Sequence, residues 1–80
     1  YSSLAYLRDL PIDELKLDRS FVHPMAQDPR ATALVSSTIA LAHSLDLRMV
    51  AEGVEDDAAY TALQRLGCDE AQGYWMSRPL

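Results

Sequence analysis

Apolar and polar residues recur along this chain with two different periods, and the switches between them mark its elements. Leu4, Leu7 and Leu10 return every third residue behind Ser2 and Ser3, which predicts a short helix over residues 3–10 closed by Pro11. Pro11-Ile12-Asp13 reads as a turn. Glu14-Leu15-Lys16-Leu17-Asp18 then alternates strictly, so Leu15 and Leu17 share one face of a strand while Lys16 and Asp18 share the other. Phe21, Val22 and Met25 follow in a segment bounded by Pro24 and Pro29.

Asp28-Pro29 is a helix start, with Asp as cap and Pro at the first helical position. Beyond it Ala31, Leu34, Val35, Ile39, Ala42 and Leu45 trace one helical face. Arg48-Met49-Val50-Ala51-Glu52, ended by Gly53, suits a buried parallel strand with Val50 and Glu52 on one side and Met49 and Ala51 on the other. Asp56 or Asp57 caps a further helix that packs through Ala59, Ala62, Leu63 and Leu66, with Gly67 just past its end. A last strand is expected over residues 70–74.

Helix and strand thus alternate, which predicts an α/β fold whose parallel strands are joined by helical crossovers. Three such strands alone leave two open edges and few residues to cover both faces. The expectation is an arc of a closed barrel, not a complete fold.

Composition narrows the function. Apolar residues are 49% and charged residues 24% of the 80, the balance of a folded soluble domain. Twelve acids against seven Lys and Arg leave a net charge of −5, which repels nucleic acid, so no DNA or RNA partner is expected. A small anionic ligand would need metal ions or placed cations. The lone cysteine, Cys68, reads as a small core residue and fits a reducing cytoplasm. No apolar run approaches a membrane span of about 20 residues, so no membrane contact is expected.

Candidate chemistry gathers at one level. Lys16 and Asp18 end the first strand, Glu52 ends the second, and Gln72 lies in the third. Carboxyl ends of parallel strands form the rim where sites assemble. A Lys, an acid and an amide on one rim suit a phosphate and a metal ion. A structural Lys16–Glu52 ion pair is the competing reading, and the spacing leaves both open. Asp56 and Asp57 read as helix caps, while Glu55, three residues after Glu52, is placed to brace the loop. His23 and His43 have no ligand spacing with each other or with Cys68, and His43 is expected at the surface. Tyr74 and Trp75 could stack on a nucleobase or pack inside a barrel.

Four strings then occur in order: Tyr1-Ser2-Ser3-Leu4, Glu14-Leu15-Lys16-Leu17-Asp18-Arg19-Ser20-Phe21-Val22, Val50-Ala51-Glu52-Gly53-Val54-Glu55, and Gln72-Gly73-Tyr74 with Ser77-Arg78-Pro79. Together they resemble the C-terminal third of EAL domains, the cyclic di-GMP phosphodiesterases, across essentially all 80 residues. The resemblance implies that residues 1–80 are the C-terminal β/α portion of a TIM-type (β/α)8 barrel, with the upstream two-thirds of the domain outside it. It implies two divalent cations, Mg2+ or Mn2+, and an activated water that opens one phosphodiester bond of cyclic di-GMP to give linear pGpG. Lys16 matches the lysine near that water and the phosphate. Glu52 matches the glutamate at the metal-bound water, as general base or metal ligand. Glu55 matches the carboxylate that steadies the loop, and Gln72 the glutamine that completes the site.

The Glu-Ala-Leu motif, an asparagine, a second glutamate and paired aspartates are expected upstream, so the segment by itself is expected to be inactive. Implied partners are cyclic di-GMP, the rest of the barrel, and a second copy through residues 3–10. Some relatives of this kind bind cyclic di-GMP without cleaving it, so a receptor or regulatory interaction module is the alternative function. The chain departs from the family pattern at Asp46, where Gly is frequent, at Asp56, where Thr is common, and at Met76, where Phe is common.

Overall fold

Strict alternation in residues 14–17 and the apolar run 48–52 do become neighbouring strands, and what lies between them is helical. The computed structural model describes residues 8–9, 11–73 and 77–80. Its elements are β1 (Glu14–Leu17), α1 (Arg19–Val22), a 3₁₀ helix (His23–Ala26), α2 (Pro29–Ser44), β2 (Arg48–Glu52), α3 (Asp57–Arg65), β3 (Glu70–Gln72) and β4 (Ser77–Pro79). The sheet order is β1-β2-β3-β4. Of the helix expected over residues 3–10, Arg8 and Asp9 are helical and the rest lies outside the described residues, as do Tyr74, Trp75 and Met76.

The β1–β2 and β2–β3 pairs are parallel, as the crossovers demand, but β4 returns antiparallel to β3. Only four residues separate the two strands, too few for a crossover, so the chain has to double back. Tyr60 of α3 holds β4 in place: its hydroxyl donates to Pro79 O at 3.2 Å, and the Arg78 guanidinium sits 4.4 Å from the Tyr60 ring centre.

β1 stops one residue early. Asp18 is not the last strand residue but the cap of α1, its carboxylate accepting the Ser20 N–H at 2.9 Å. The Ser20 hydroxyl and N–H hold Asp18 below the usual carboxylate range. α1 and the 3₁₀ helix fill the segment that the prolines bound; Pro24 is tolerated because it lies in the first turn of the 3₁₀ helix.

Leu15, Leu17, Met49, Ala51 and Ala71 are in register and share one face, over which α2 and α3 pack. Val35, Ile39 and Ala42 of α2, Leu63 of α3, Val54 and Cys68 complete this buried layer. Leu34 is a correction to the expected packing stripe: it is 51% exposed. The buried positions 35, 39 and 42 set the axis of the packed face, and residue 34 lies about 100° around the helix from residue 35.

Both long helices end in the same hydrogen-bonding motif. At α3, Gly67 N–H donates to Gln64 O and Cys68 N–H to Leu63 O, with Gly67 at φ +87°. At α2, Asp46 N–H donates to His43 O and Leu47 N–H to Ala42 O, with Asp46 at φ +59°. A glycine at position 46, which the resemblance implies is frequent there, would adopt this left-handed backbone without strain.

β2 ends where α1 crosses it. Gly53 has φ +74°, and a Cβ on it would lie 2.5 Å from Arg19 Cβ. His23 Nε2 donates to Gly53 O at 3.2 Å, and Val54 N–H donates to Gln72 O at 3.0 Å, so the loop after β2 is tied to both flanking strands' connections. At the opposite end of the sheet, Asp69 accepts the Met49 N–H and meets His43 Nε2, each at 2.7 Å. Burial pushes the Asp69 carboxyl up, but the Met49 N–H and His43 together outweigh it and leave its pKa lowered.

Three outcomes are expected on urea unfolding of the complete domain that contains this chain. Asp46→Gly stabilises by about 0.5–1 kcal/mol, because it relieves the left-handed conformation. Gly53→Ala destabilises by about 1–3 kcal/mol, since strain at positive φ adds to the collision with Arg19; an unchanged midpoint would disprove the close approach. Ionised Asp69 contributes stability that is fully present above its unfolded value of about 3.9 and is lost as pH falls through its lower folded value. The gap in midpoint between the native chain and Asp69→Asn should therefore be largest at neutral pH and close in acid.

Candidate functional site

The face opposite the core is polar, and register makes it so. Lys16 pairs with Val50, Val50 with Glu70, Glu14 with Arg48, and Glu52 with Gln72. Residues 14, 16, 48, 50, 52, 70 and 72 thus share one surface. Lys16, Glu52 and Gln72, singled out from the sequence, are brought together there. Glu52 and Gln72 stand side by side at the carboxyl ends of β2 and β3, and Lys16 lies one strand over, level with Val50. Among the described residues no ion pair joins Lys16 to Glu52, so the competing ion-pair reading is not formed.

The ion pairs on this face form a network around Arg48, which is level with Glu14 and reaches up to Glu70, itself level with Lys16 and Val50. Arg48 reaches Glu14 at 3.5 Å and Glu70 at 3.6 Å. Glu70 also accepts from Ser77 Oγ at 2.8 Å and from Gln72 Nε2 at 3.3 Å. Sequence reasoning missed this network; its signal was the shared parity of Glu14, Arg48 and Glu70, visible only once the strands are aligned. Arg48 is engaged by two carboxylates, whereas among the described residues Lys16 and Glu52 enter no ion pair.

Glu55 does not join that surface. It sits in the loop after β2, exposed, and lines a cavity of about 300 Å³ with His23, Met25, Thr32, Asp56 and Ala59. Asp56 caps α3, accepting the Ala59 N–H at 2.8 Å, and Asp57 occupies the first turn. The loop that joins Glu55 to Glu52 is held by His23 at Gly53 O and by Gln72 O at Val54 N–H. His43 is at the surface and pairs with Asp69, and Cys68 is a buried free thiol whose pKa burial raises, which makes it inert.

Glu52 is a hard oxygen donor of the kind Mg2+ and Mn2+ prefer. Yet among the described residues no three His, Cys, Asp or Glu side chains converge on one point. These residues do not form a metal site by themselves.

The EAL domain family model matches residues 1–79. The chain is 49% identical over its full length to the bifunctional diguanylate cyclase/cyclic di-GMP phosphodiesterase MucR of Pseudomonas aeruginosa, and 48% identical to the cyclic di-GMP phosphodiesterase RocR of the same organism. It spans 12% and 20% of those proteins. The solved MucR phosphodiesterase in complex with cyclic di-GMP superposes with a TM-score of 0.88 and 47% identity, over 99% of this chain and 33% of that one. A Klebsiella pneumoniae BlrP1 structure with manganese and cyclic di-GMP matches at TM-score 0.81 and 33% identity, over 99% of this chain and 20% of that one. The open four-strand sheet is accordingly an arc of a TIM-type barrel and not a closed one. With the family strings, the parallel register and the match over residues 1–79 in agreement, the chain belongs to the EAL domain family.

Proposed function

We propose that residues 1–80 form the C-terminal segment of an EAL domain whose complete barrel hydrolyses cyclic di-GMP to linear pGpG. The observation that carries this reading is the in-register placement of Lys16, Glu52 and Gln72 on one polar face at the carboxyl ends of parallel strands. Relatives covering the whole chain that are named cyclic di-GMP phosphodiesterases supply the substrate.

Hydrolysis adds water across one P–O3′ bond, leaving a 5′-phosphate and a 3′-hydroxyl. Charge builds on the phosphoryl oxygens as the water oxygen approaches. Lys16 offsets that charge with a compact ammonium that no partner on this face neutralises within ion-pair distance among the described residues. Glu52 takes the proton of the attacking water or contributes one oxygen to a divalent ion. Gln72, beside it, orients the reacting groups. Glu55 supports the loop between them. The remaining donors for Mg2+ or Mn2+ come from outside the described residues. A free, buried Cys68 fits a cytoplasmic setting, and no described helix is long and apolar enough to cross a membrane.

In the complete domain, supplied with Mg2+ and cyclic di-GMP, Glu52→Gln should lower kcat by roughly 10²–10⁴-fold while leaving the thermal transition in place. Lys16→Met should lower kcat by roughly 10²-fold, the size of one lost charge-stabilising group. Binding without product from the native domain would make it a receptor, and native turnover in Glu52→Gln would remove that residue from the chemistry.

A further inference from the structure

An amide side chain has two unlike ends. Oε1 accepts hydrogen bonds and Nε2 donates them, so the end that Gln72 turns toward the site decides which groups it can serve. The two ends are nearly equal in size, and packing alone does not choose between them. Charge does. Glu70 lies two residues earlier on the same face of β3, with Oε2 3.3 Å from Gln72 Nε2. An ionised carboxylate only accepts, so Nε2 can approach it and Oε1 cannot.

Glu70 is itself anchored. Ser77 of β4 donates to the same Oε2 at 2.8 Å, and Arg48 of β2 lies 3.6 Å from Oε1. The Ser77 hydroxyl, the Gln72 amide and the Arg48 guanidinium outweigh desolvation and lower its pKa, so the carboxylate stays ionised at neutral pH.

We propose that Glu70 is a positioning residue that makes Gln72 a hydrogen-bond acceptor: by holding Nε2 it leaves Oε1 to accept an O–H of the attacking water beside Glu52. A phosphate oxygen, itself an acceptor, is excluded from that end. The inference rests on the reading of Gln72 as part of the phosphodiesterase site. It assigns β4 a part in the site, because Ser77 steadies the carboxylate that steadies the amide.

The test is a double-variant cycle on the complete domain, with kcat, KM and the thermal midpoint measured on cyclic di-GMP for the native domain, Glu70→Gln, Gln72→Ala, the pair together, and Ser77→Ala. A Gln at position 70 can offer either end, so it no longer dictates the Gln72 amide. Glu70→Gln should lower kcat by roughly 10-fold with KM within about twofold, and should cause no further loss in the Gln72→Ala background. Ser77→Ala, which loosens Glu70 without touching Gln72, should give a smaller fall of the same kind and carries the test if Glu70→Gln does not fold. Native kcat in the Glu70 and Ser77 variants, a change confined to KM, or equal losses with and without Gln72 would each overturn the proposal. Native kcat in Gln72→Ala would instead strike out Gln72 as a site residue, and the positioning role with it.

Discussion

Parallel pairing in register is the constraint on which the rest of this structure depends. Leu15 beside Met49, and Ala51 beside both Leu17 and Ala71, put every apolar strand residue but Val50 on one face. The helices have a single surface to cover, and the polar residues are forced together on the other. A slip of one residue in β2 would carry Glu52 and Arg48 into the core and Met49 out of it. Burying an unpaired carboxylate costs several kcal/mol, so the register that fills the core also selects the polar face. Core and site are two consequences of one alignment.

Among the described residues, that polar face holds both paired and unpaired charges. One part satisfies itself, with Arg48 between two carboxylates and Ser77 completing the second. Lys16 and Glu52, two residues apart in level, form no ion pair with each other. Arg48 is taken up by Glu14 and Glu70, so it does not neutralise Glu52. Three carboxylates, Glu14, Glu52 and Glu70, against two cations, Lys16 and Arg48, leave these strand positions net negative.

The loop after β2 is held by backbone geometry more than by side-chain bulk. Gly53 lets α1 approach so closely that Arg19 occupies the space a side chain would take. His23 and the Gln72 carbonyl then fix the chain on either side of Gly53. The carboxyl end of β2 is thereby tied to the segment following β1 and to β3. Asp69 does a comparable task at the opposite end of the sheet, binding the α2 terminus to the β2 backbone.

Much of this was legible without a structure. Alternation at residues 14–17, the apolar run at 48–52, the Asp28-Pro29 start and the caps at Asp56 and Gly67 are local signals, set by neighbours within a few residues, and each appears where it was expected. So did the candidate rim of Lys16, Glu52 and Gln72, because period-two alternation already assigns each to a face. What no local signal carried is everything decided between elements: the antiparallel return of β4, the exposure of Leu34, the cap formed by Asp18 at the end of β1, and the placement of Glu55 away from the polar face. The Arg48–Glu70–Gln72 relay belongs here too, since its members gain meaning only from strand register. Local chemistry determined which elements form and which residues each one presents; only the alignment of strands, a contact between residues far apart in the chain, decided which of those residues meet.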